Sequence, residues 1–260
     1  MTTTQSWTEE LVGVGTAKAR VLKGGNGPPL LVLHGSGGNP GWMDYHQELS
    51  QRFTVYAPSH PGYDGAERPD WVRTVTDVSH FHLGLVRALG LGQVSIIGFS
   101  LGGWIAAEMA AMCPDRVKGM VLVGAVGIKP QVGEIAELLM VSPGQTQPLA
   151  FYDLSKAPKL EDIPQEQQEV LWRNREMTSR LCWKPYMHNP HLPEYLKLVH
   201  VPTQIMWGRQ DGVVPLNAGE IYHDVLEGSS LHVIEECGHA PQIEKPQKFL
   251  DVTLGFLSKL

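Results

Sequence analysis

The chain has 260 residues, 42% hydrophobic and 18% charged, which suits one large folded domain, or a core carrying one sizeable insertion, and argues against disorder. Lys and Arg total 21 against 27 Asp and Glu, a net charge of −6, so the sequence offers no basic footprint for nucleic acid or an anionic membrane. Met1–Glu10 has neither the basic flank nor the apolar run of a signal peptide, no stretch reaches the roughly 18 apolar residues of a membrane span, and Cys113, Cys182 and Cys237 form no CxxC pair, so a cytoplasmic protein with reduced thiols is expected.

Leu11–Leu22 alternates weakly and predicts an antiparallel edge hairpin turned by Lys23–Gly27. Leu30–Leu33 is a wholly apolar run, as expected of a strand buried on both faces, and it ends in His34-Gly-Ser-Gly-Gly38. Phe53–Ala57 is the next such run, closed by Pro58, Pro61 and Gly62. Val78, Phe81, His82, Leu85, Val86 and Leu89 fall on one helical face, stopped by Gly90. Val94–Ile97 predicts a third buried strand, running into Gly98-Phe-Ser100-Leu-Gly102 and an Ala-rich helix through Met112. Val117–Val123, Thr203–Trp207 and Leu231–Ile234 predict further strands, with helices near Leu216–Leu226 and from the last loop to Leu260.

Strand and helix thus alternate, which predicts an α/β fold with a mostly parallel, doubly wound sheet. The alternation breaks between about residues 128 and 199, where helical patterns at Glu134–Met140 and Gln165–Leu181 predict an inserted helical cap. The expected layout is core 1–127, cap 128–199 and core 200–260. In such sheets ligands bind at the carboxyl ends of the strands, where an insertion of this kind sits.

Gly98-Phe-Ser-Leu-Gly102 matches G-x-S-x-G, and its placement between a strand and a helix is the context that motif requires. Ser100 is the candidate nucleophile and needs an adjacent base. His239, in Cys237-Gly-His-Ala-Pro241 after the last strand, is the candidate base, and Asp211, just beyond another strand, is the acid expected to orient it. Asp224 is a second, weaker choice. The order Ser100, Asp211, His239 differs from that of either protease class. The backbone N–H groups of Ser36 and Leu101 are the candidate oxyanion donors, with His34 a structural support for that loop. His82 reads as a core histidine, and the remaining histidines considered (His80, His188, His191, His200, His223) read as surface or loop residues. The His80-x-His82 and His188-x-x-His191 pairs lack supporting carboxylates or cysteines, so no metal site is expected, and no nucleotide fingerprint is complete.

The series HGSGG, GFSLGG, WGRQDGVVP and GHAPQIEKP closely resembles the α/β-hydrolase fold superfamily in its single-domain bacterial form, over about residues 10–127 and 200–258. The resemblance implies a cofactor-free hydrolase acting on a small-molecule ester through an acyl-enzyme. It also admits a C–C bond hydrolase of the meta-cleavage-product type, and a non-catalytic small-molecule receptor on the same fold. Trp42, Phe99 and Asn174 are the expected substrate-binding side chains. Asn174 interrupts the stripe Val170–Met177–Leu181 that would face the pocket, while Arg173, Arg180 and Lys184 read as a solvated face. Gly41-Trp42 and Phe151-Tyr-Asp153 look like the ring-fission hydrolases. Those enzymes usually carry Asn where this chain has Phe99 and Asp44, and Trp where it has Ala240. Asp44, if ionised, is expected to repel a dienoate's carboxylate.

Overall fold

The structure is a computed structural model that describes residues 6–260, so Met1–Gln5, the first half of the Met1–Glu10 segment, lie outside the described residues. Strands β1 (Trp7–Val14) and β2 (Ala17–Gly24) form the expected antiparallel hairpin, in register from Trp7↔Gly24 to Val14↔Ala17. The turn is not at Lys23–Gly27. Gly15 and Thr16 close it, because Val21–Gly24 are held in strand by antiparallel pairing with a neighbouring strand, leaving Gly25–Pro28 to carry the chain onward.

From there strands and helices alternate as β3 (Pro29–Leu33), α1 (Asp44–Ser50), β4 (Thr54–Pro58), α2 (Val75–Ala88), β5 (Val94–Phe99), α3 (Leu101–Met112) and β6 (Val117–Val123). Helix α2 starts where Thr74 accepts the Asp77 N–H (3.1 Å) and Asp77 returns a carboxylate to the Thr74 N–H (2.9 Å), a reciprocal cap that satisfies two otherwise orphaned donors.

Between β6 and the next strand lie α4 (Pro143–Ala150), α5 (Gln165–Cys182) and α6 (Leu192–Leu196). The helix expected at Glu134–Met140 is absent. Its backbone is engaged elsewhere, the Ala136 N–H donating to Val213 O (2.9 Å) and the Ala136 carbonyl accepting from the Tyr186 hydroxyl (2.7 Å). The helix begins later, where the Ser142 N–H finds the Gln145 side chain (2.9 Å) and Pro143 occupies the first turn.

The chain closes with β7 (Thr203–Gly208), α7 (Leu216–Val225), β8 (Ser230–Ile234), α8 (Pro241–Glu244) and α9 (Pro246–Leu257). The eight strands lie in the order β1-β2-β4-β3-β5-β6-β7-β8, antiparallel at the β1 edge and parallel from β4 to β8. Both faces are covered. Leu31, Ile96, Met120 and Leu122 enter one core with Phe81, Trp104 and Ile105; Val32, Ile97, Val121 and Val123 enter the other with Phe249 and Leu257. That alternation is the period of two of a pleated strand, and it accounts for runs apolar throughout. Among the described residues no helix is long and apolar enough to cross a membrane.

Candidate active site

Parallel register decides which loops meet. Leu33 pairs with Gly98, Phe99 with Val123, Val123 with Met206, and Gly208 with Ile234. The segments after β3, β5, β7 and β8 therefore leave the sheet at one edge, carrying His34–Gly38, Ser100, Asp211 and His239.

Ser100 sits between β5 and α3 with φ 50° and ψ −110°, a left-handed conformation that costs a side-chain-bearing residue on the order of 1–3 kcal/mol. Its N–H donates to Val123 O (2.8 Å) and its carbonyl accepts from Gly103 (3.0 Å) and Trp104 (3.2 Å), so the turn is held from both sides. The flanking glycines are a packing requirement. A Cβ on Gly98 would lie 2.3 Å from Gly102 O, and one on Gly102 would lie 2.2 Å from Leu33 O. Leu101 is the first residue of α3, where amides and the helix dipole favour negative charge.

The Asp211 side chain is fully buried. One carboxylate oxygen accepts from the Val213 and Val214 amides (2.8 and 2.9 Å) and the other from His239 Nδ1 (2.7 Å). A carboxylate acceptor at Nδ1 fixes the neutral imidazole with its proton there, leaving Nε2 free to take one. The two loops are laced together by Gln210 N–H to Cys237 O (3.0 Å) and Cys237 N–H to the Gln210 side chain (3.1 Å). The last turn of α4 also takes part: Leu149 O accepts the Gly212 N–H (2.9 Å) and Ala150 O accepts the His239 N–H (2.7 Å).

Ser100 and His239 both line a cavity of about 670 Å³, with Gly35, Ser36 and Gly37 beside them. Its walls are mainly apolar (Phe99, Leu138, Leu139, Leu171, Trp172, Val213). Among the described residues lining it Arg175 is the one Lys or Arg, and no Asp or Glu joins it. The Arg175 guanidinium donates to Val141 O (2.5 Å) and lies 5.5 Å from the Trp172 ring centre. Chemically, such a site offers a hydroxyl on a strained turn, an imidazole held in one tautomer and a mainly apolar chamber with one guanidinium in its wall.

A family model described as the Alpha/beta hydrolase family matches residues 30–252. The chain belongs to that family. Among relatives of this alpha/beta hydrolase, an uncharacterized protein of Mycobacterium tuberculosis is 28% identical over 90% of this chain and 76% of its own length. The 2-hydroxy-6-oxo-6-(2'-aminophenyl)hexa-2,4-dienoic acid hydrolase of Metapseudomonas resinovorans is 26% identical over 98% and 92%. Among solved structures, a membrane phospholipase A described as a bacterial virulence factor superposes with a TM-score of 0.84 at 23% identity, covering 98% of this chain and 86% of that one, a likeness of fold.

Several expected substrate contacts are placed elsewhere in this alpha/beta hydrolase. Phe99 does line the cavity. Trp42 does not: its ring stacks on Trp7 (5.9 Å) and its indole N–H donates to Gln47 (3.1 Å). Asn174 does not either. The stripe Asn174, Met177 and Leu181 is buried as expected, but it faces the loop after β4, where Asn174 meets Asp64. The cavity face of α5 is the neighbouring stripe Gln168, Leu171, Trp172, Arg175 and Thr178, at spacings of three and four. Asp44 is exposed on α1 and is not among the cavity-lining residues, so the expected repulsion of a carboxylate falls away. Ala240 lines the cavity, Tyr152 and Asp153 are exposed outside it, and Asp224 is exposed on α7. Arg173, Arg180 and Lys184 are exposed. No group of three or more possible metal ligands occurs among the described residues.

Arg175 and His60 are the residues that sequence reasoning missed. The helical spacing from Leu171 to Thr178 was the available signal for the first. His60 directly follows Ser59 after β4 and is completely buried. Its Nε2 donates to His34 O (2.9 Å) and its Nδ1 accepts from His82 Nε2 (2.8 Å), so His82 is bonded on one side while its Nδ1 has no hydrogen-bond partner among the described residues.

Proposed function

We propose that this chain is a serine hydrolase that cleaves carboxylic esters of small, largely apolar molecules through an acyl-enzyme. The observation that carries the reading is one cavity onto which Ser100 and His239 both open, with His239 bonded at 2.7 Å to the fully buried carboxylate of Asp211. In this reading His239 Nε2 takes the Ser100 proton as Oγ attacks the carbonyl. The Ser36 and Leu101 amides receive the oxyanion. His239 then protonates the departing alcohol, and water repeats the sequence to release the acid. Phe99 and Val213 form apolar walls for the acyl or alcohol group.

The test is hydrolysis of nitrophenyl esters of short to medium acids. Ser100→Ala and His239→Ala should each lower kcat about 10⁶-fold, and the double variant should lose little more, because such residues act as a unit. Asp211→Asn should cost about 10⁴-fold. Independent, multiplying losses would overturn the assignment.

A second reading, hydrolysis of a C–C bond in a dienoate, is supported by the Arg175 guanidinium in the cavity and by the kind of substrate named for the Metapseudomonas relative. Against it, Phe99 and Ala240 line the cavity without a hydrogen-bonding side chain at the positions where the ring-fission hydrolases usually carry Asn and Trp. Nitrophenyl esters are expected to exceed any ring-fission dienoate by at least about tenfold in kcat/KM, about 1.4 kcal/mol in transition-state binding. The reverse ranking would favour the second reading.

A further inference from the structure

Four consecutive carbonyls of the loop that would bear an oxyanion donor, those of His34 to Gly37, are each claimed by a different side chain or amide. His34 O accepts from His60 Nε2 (2.9 Å), and Gly35 O from His34 Nδ1 (2.7 Å) and the Gly38 N–H (3.2 Å). Ser36 O accepts from the Thr178 hydroxyl (3.3 Å), and Gly37 O from the Asn174 amide (2.9 Å). A peptide unit is planar and trans, so fixing the Gly35 carbonyl also fixes the opposite direction of the Ser36 N–H. Fixing the next two carbonyls prevents the following peptides from rotating that one.

The last two anchors come from α5, and they are built to stay. Asn174 and Thr178 are each 1% exposed. Asn174 closes a ring with Asp64: its amide donates to Asp64 Oδ1 (2.9 Å) while its oxygen accepts the Asp64 N–H (2.8 Å). Asp64 Oδ2 accepts in turn from the Asn39 N–H (2.9 Å), beyond the far end of the same loop. The Thr178 hydroxyl shares its single proton between Ser36 O and Asn174 O, the latter at 2.9 Å, and its oxygen accepts from the buried Tyr63 hydroxyl (2.8 Å). Gly38 lies directly over the ring, at φ +98°, where a Cβ would stand 2.1 Å from Asn174 Nδ2 and 2.2 Å from Asp64 Oδ1. No cavity need explains Asn174, which does not line the chamber. What it touches is the loop.

We infer that Asn174 and Thr178, with Asp64 behind them, are positioning residues for the oxyanion donor at Ser36. The inserted helix that shapes the cavity through Leu171 and Trp172 thus also sets, one turn further on, the geometry of the group that stabilises the developing negative charge. The inference rests on the acyl-transfer reading above. Its signature is a loss confined to the transition state, since the loop holds no ground-state charge.

The experiment measures ester hydrolysis, its pH profile, and inhibition by a trifluoromethyl ketone, whose serine adduct places an oxyanion at the same donors. Asn174→Leu should lower kcat about 10- to 100-fold, at or below the roughly 100-fold of a misplaced group and short of the roughly 100- to 1,000-fold of a donor lost outright. KM should stay within about twofold, the pH profile should keep its shape, and ketone inhibition should weaken by a similar factor. Thr178→Val should show the same split, and Thr178→Ser, which keeps the hydroxyl, should restore kcat. If Asn174→Leu does not fold, the Thr178 pair decides. A folded variant with undiminished kcat, or a rise in KM with kcat unchanged, would overturn the inference. Turnover surviving in Ser100→Ala would instead remove the acyl-transfer reading itself, so the two failures are distinguishable.

Discussion

At the scale of single residues, the candidate site positions were legible wherever backbone geometry dictates the residue type. Ser100 stands at φ 50° between two glycines that nothing larger can replace, and that demand is written into the sequence as G-x-S-x-G. Asp211 and His239 follow strands whose apolar runs are unmistakable, so their placement at one edge was readable too. Side-chain direction was not. Trp42 and Asn174 are large polar-edged residues near the site, and sequence alone gives no means of telling a wall of the cavity from a brace behind it. Arg175 shows the converse, a cavity residue one helical step from the stripe that the pattern favoured. Its guanidinium makes a bond to Val141 O and packs by Trp172, which leaves donors to spare. Arg175→Met should therefore raise KM at least about tenfold for a nitrophenyl ester whose acid carries a second, free carboxylate, since a hydrogen bond to a charged group contributes about 1.5–3 kcal/mol. A neutral ester of the same length should change within about twofold. Equal changes for both would mean that Arg175 only props the wall.

At the scale of elements, strands and core helices were readable because burial on two faces leaves continuous apolar runs and burial on one leaves a helical stripe. The stretch from residue 128 to 199 was less so, because its backbone is shaped by bonds to distant loops. Glu134–Met140 has a helical pattern, yet Val213 and Tyr186 capture Ala136 from two sides and keep the segment irregular. The hairpin turn moved for the same reason, pairing with β4 carrying β2 through Gly24, into the residues that looked like its turn. The same inserted stretch reaches the Asp211 and His239 loops through Leu149 and Ala150, and through Asp153 by way of Glu244. Glu244 is buried, with one oxygen accepting the Gly238 N–H (2.7 Å) and the other the Asp153 N–H (2.9 Å). Glu244→Leu leaves both amides without that acceptor, and should lower unfolding stability by about 1–3 kcal/mol for a buried unpaired donor. Glu244→Gln keeps one acceptor oxygen and should lose less. Denaturant midpoints would check the ranking, and a Leu variant as stable as wild type would show that Gly238 and Asp153 find other partners.

At the scale of the whole molecule, the buried histidines give folding a pH dependence of definite sign. Burial pushes His46 and His82 from the usual 6.5 down to about 3, the second helped by His34 nearby. His60 is held well below 6.5 by burial and by its neighbours His34 and His82. His34 is lowered by burial although Asp64, 3.8 Å away, pulls the other way. The hydrogen bonds require the same neutrality: His34 donates from Nδ1 to Gly35 O, so its Nε2 must accept the His60 N–H (2.9 Å) and cannot carry a proton. Partly buried His232, beside Lys248, adds the same sign more weakly. In each case the folded value lies below the unfolded one, so the unfolded chain binds more protons as the pH falls from about 7. The stability these groups contribute is fully present above about 6.5 and is lost progressively as the pH drops toward the folded values. Each fully engaged histidine steepens the loss by about 1.4 kcal/mol per pH unit. Urea unfolding between pH 7.5 and 5 should show stability falling by more than one proton's slope. That window lies above the range in which paired carboxylates such as Glu9, lowered by its bond to Arg20, take up protons. Replacing His82 by Gln keeps an N–H to offer His60 Nδ1 and removes one titrating group. Its unfolding should depend less steeply on pH over the same window, by up to one proton. An unchanged slope would mean that the buried histidines are not what acid attacks first.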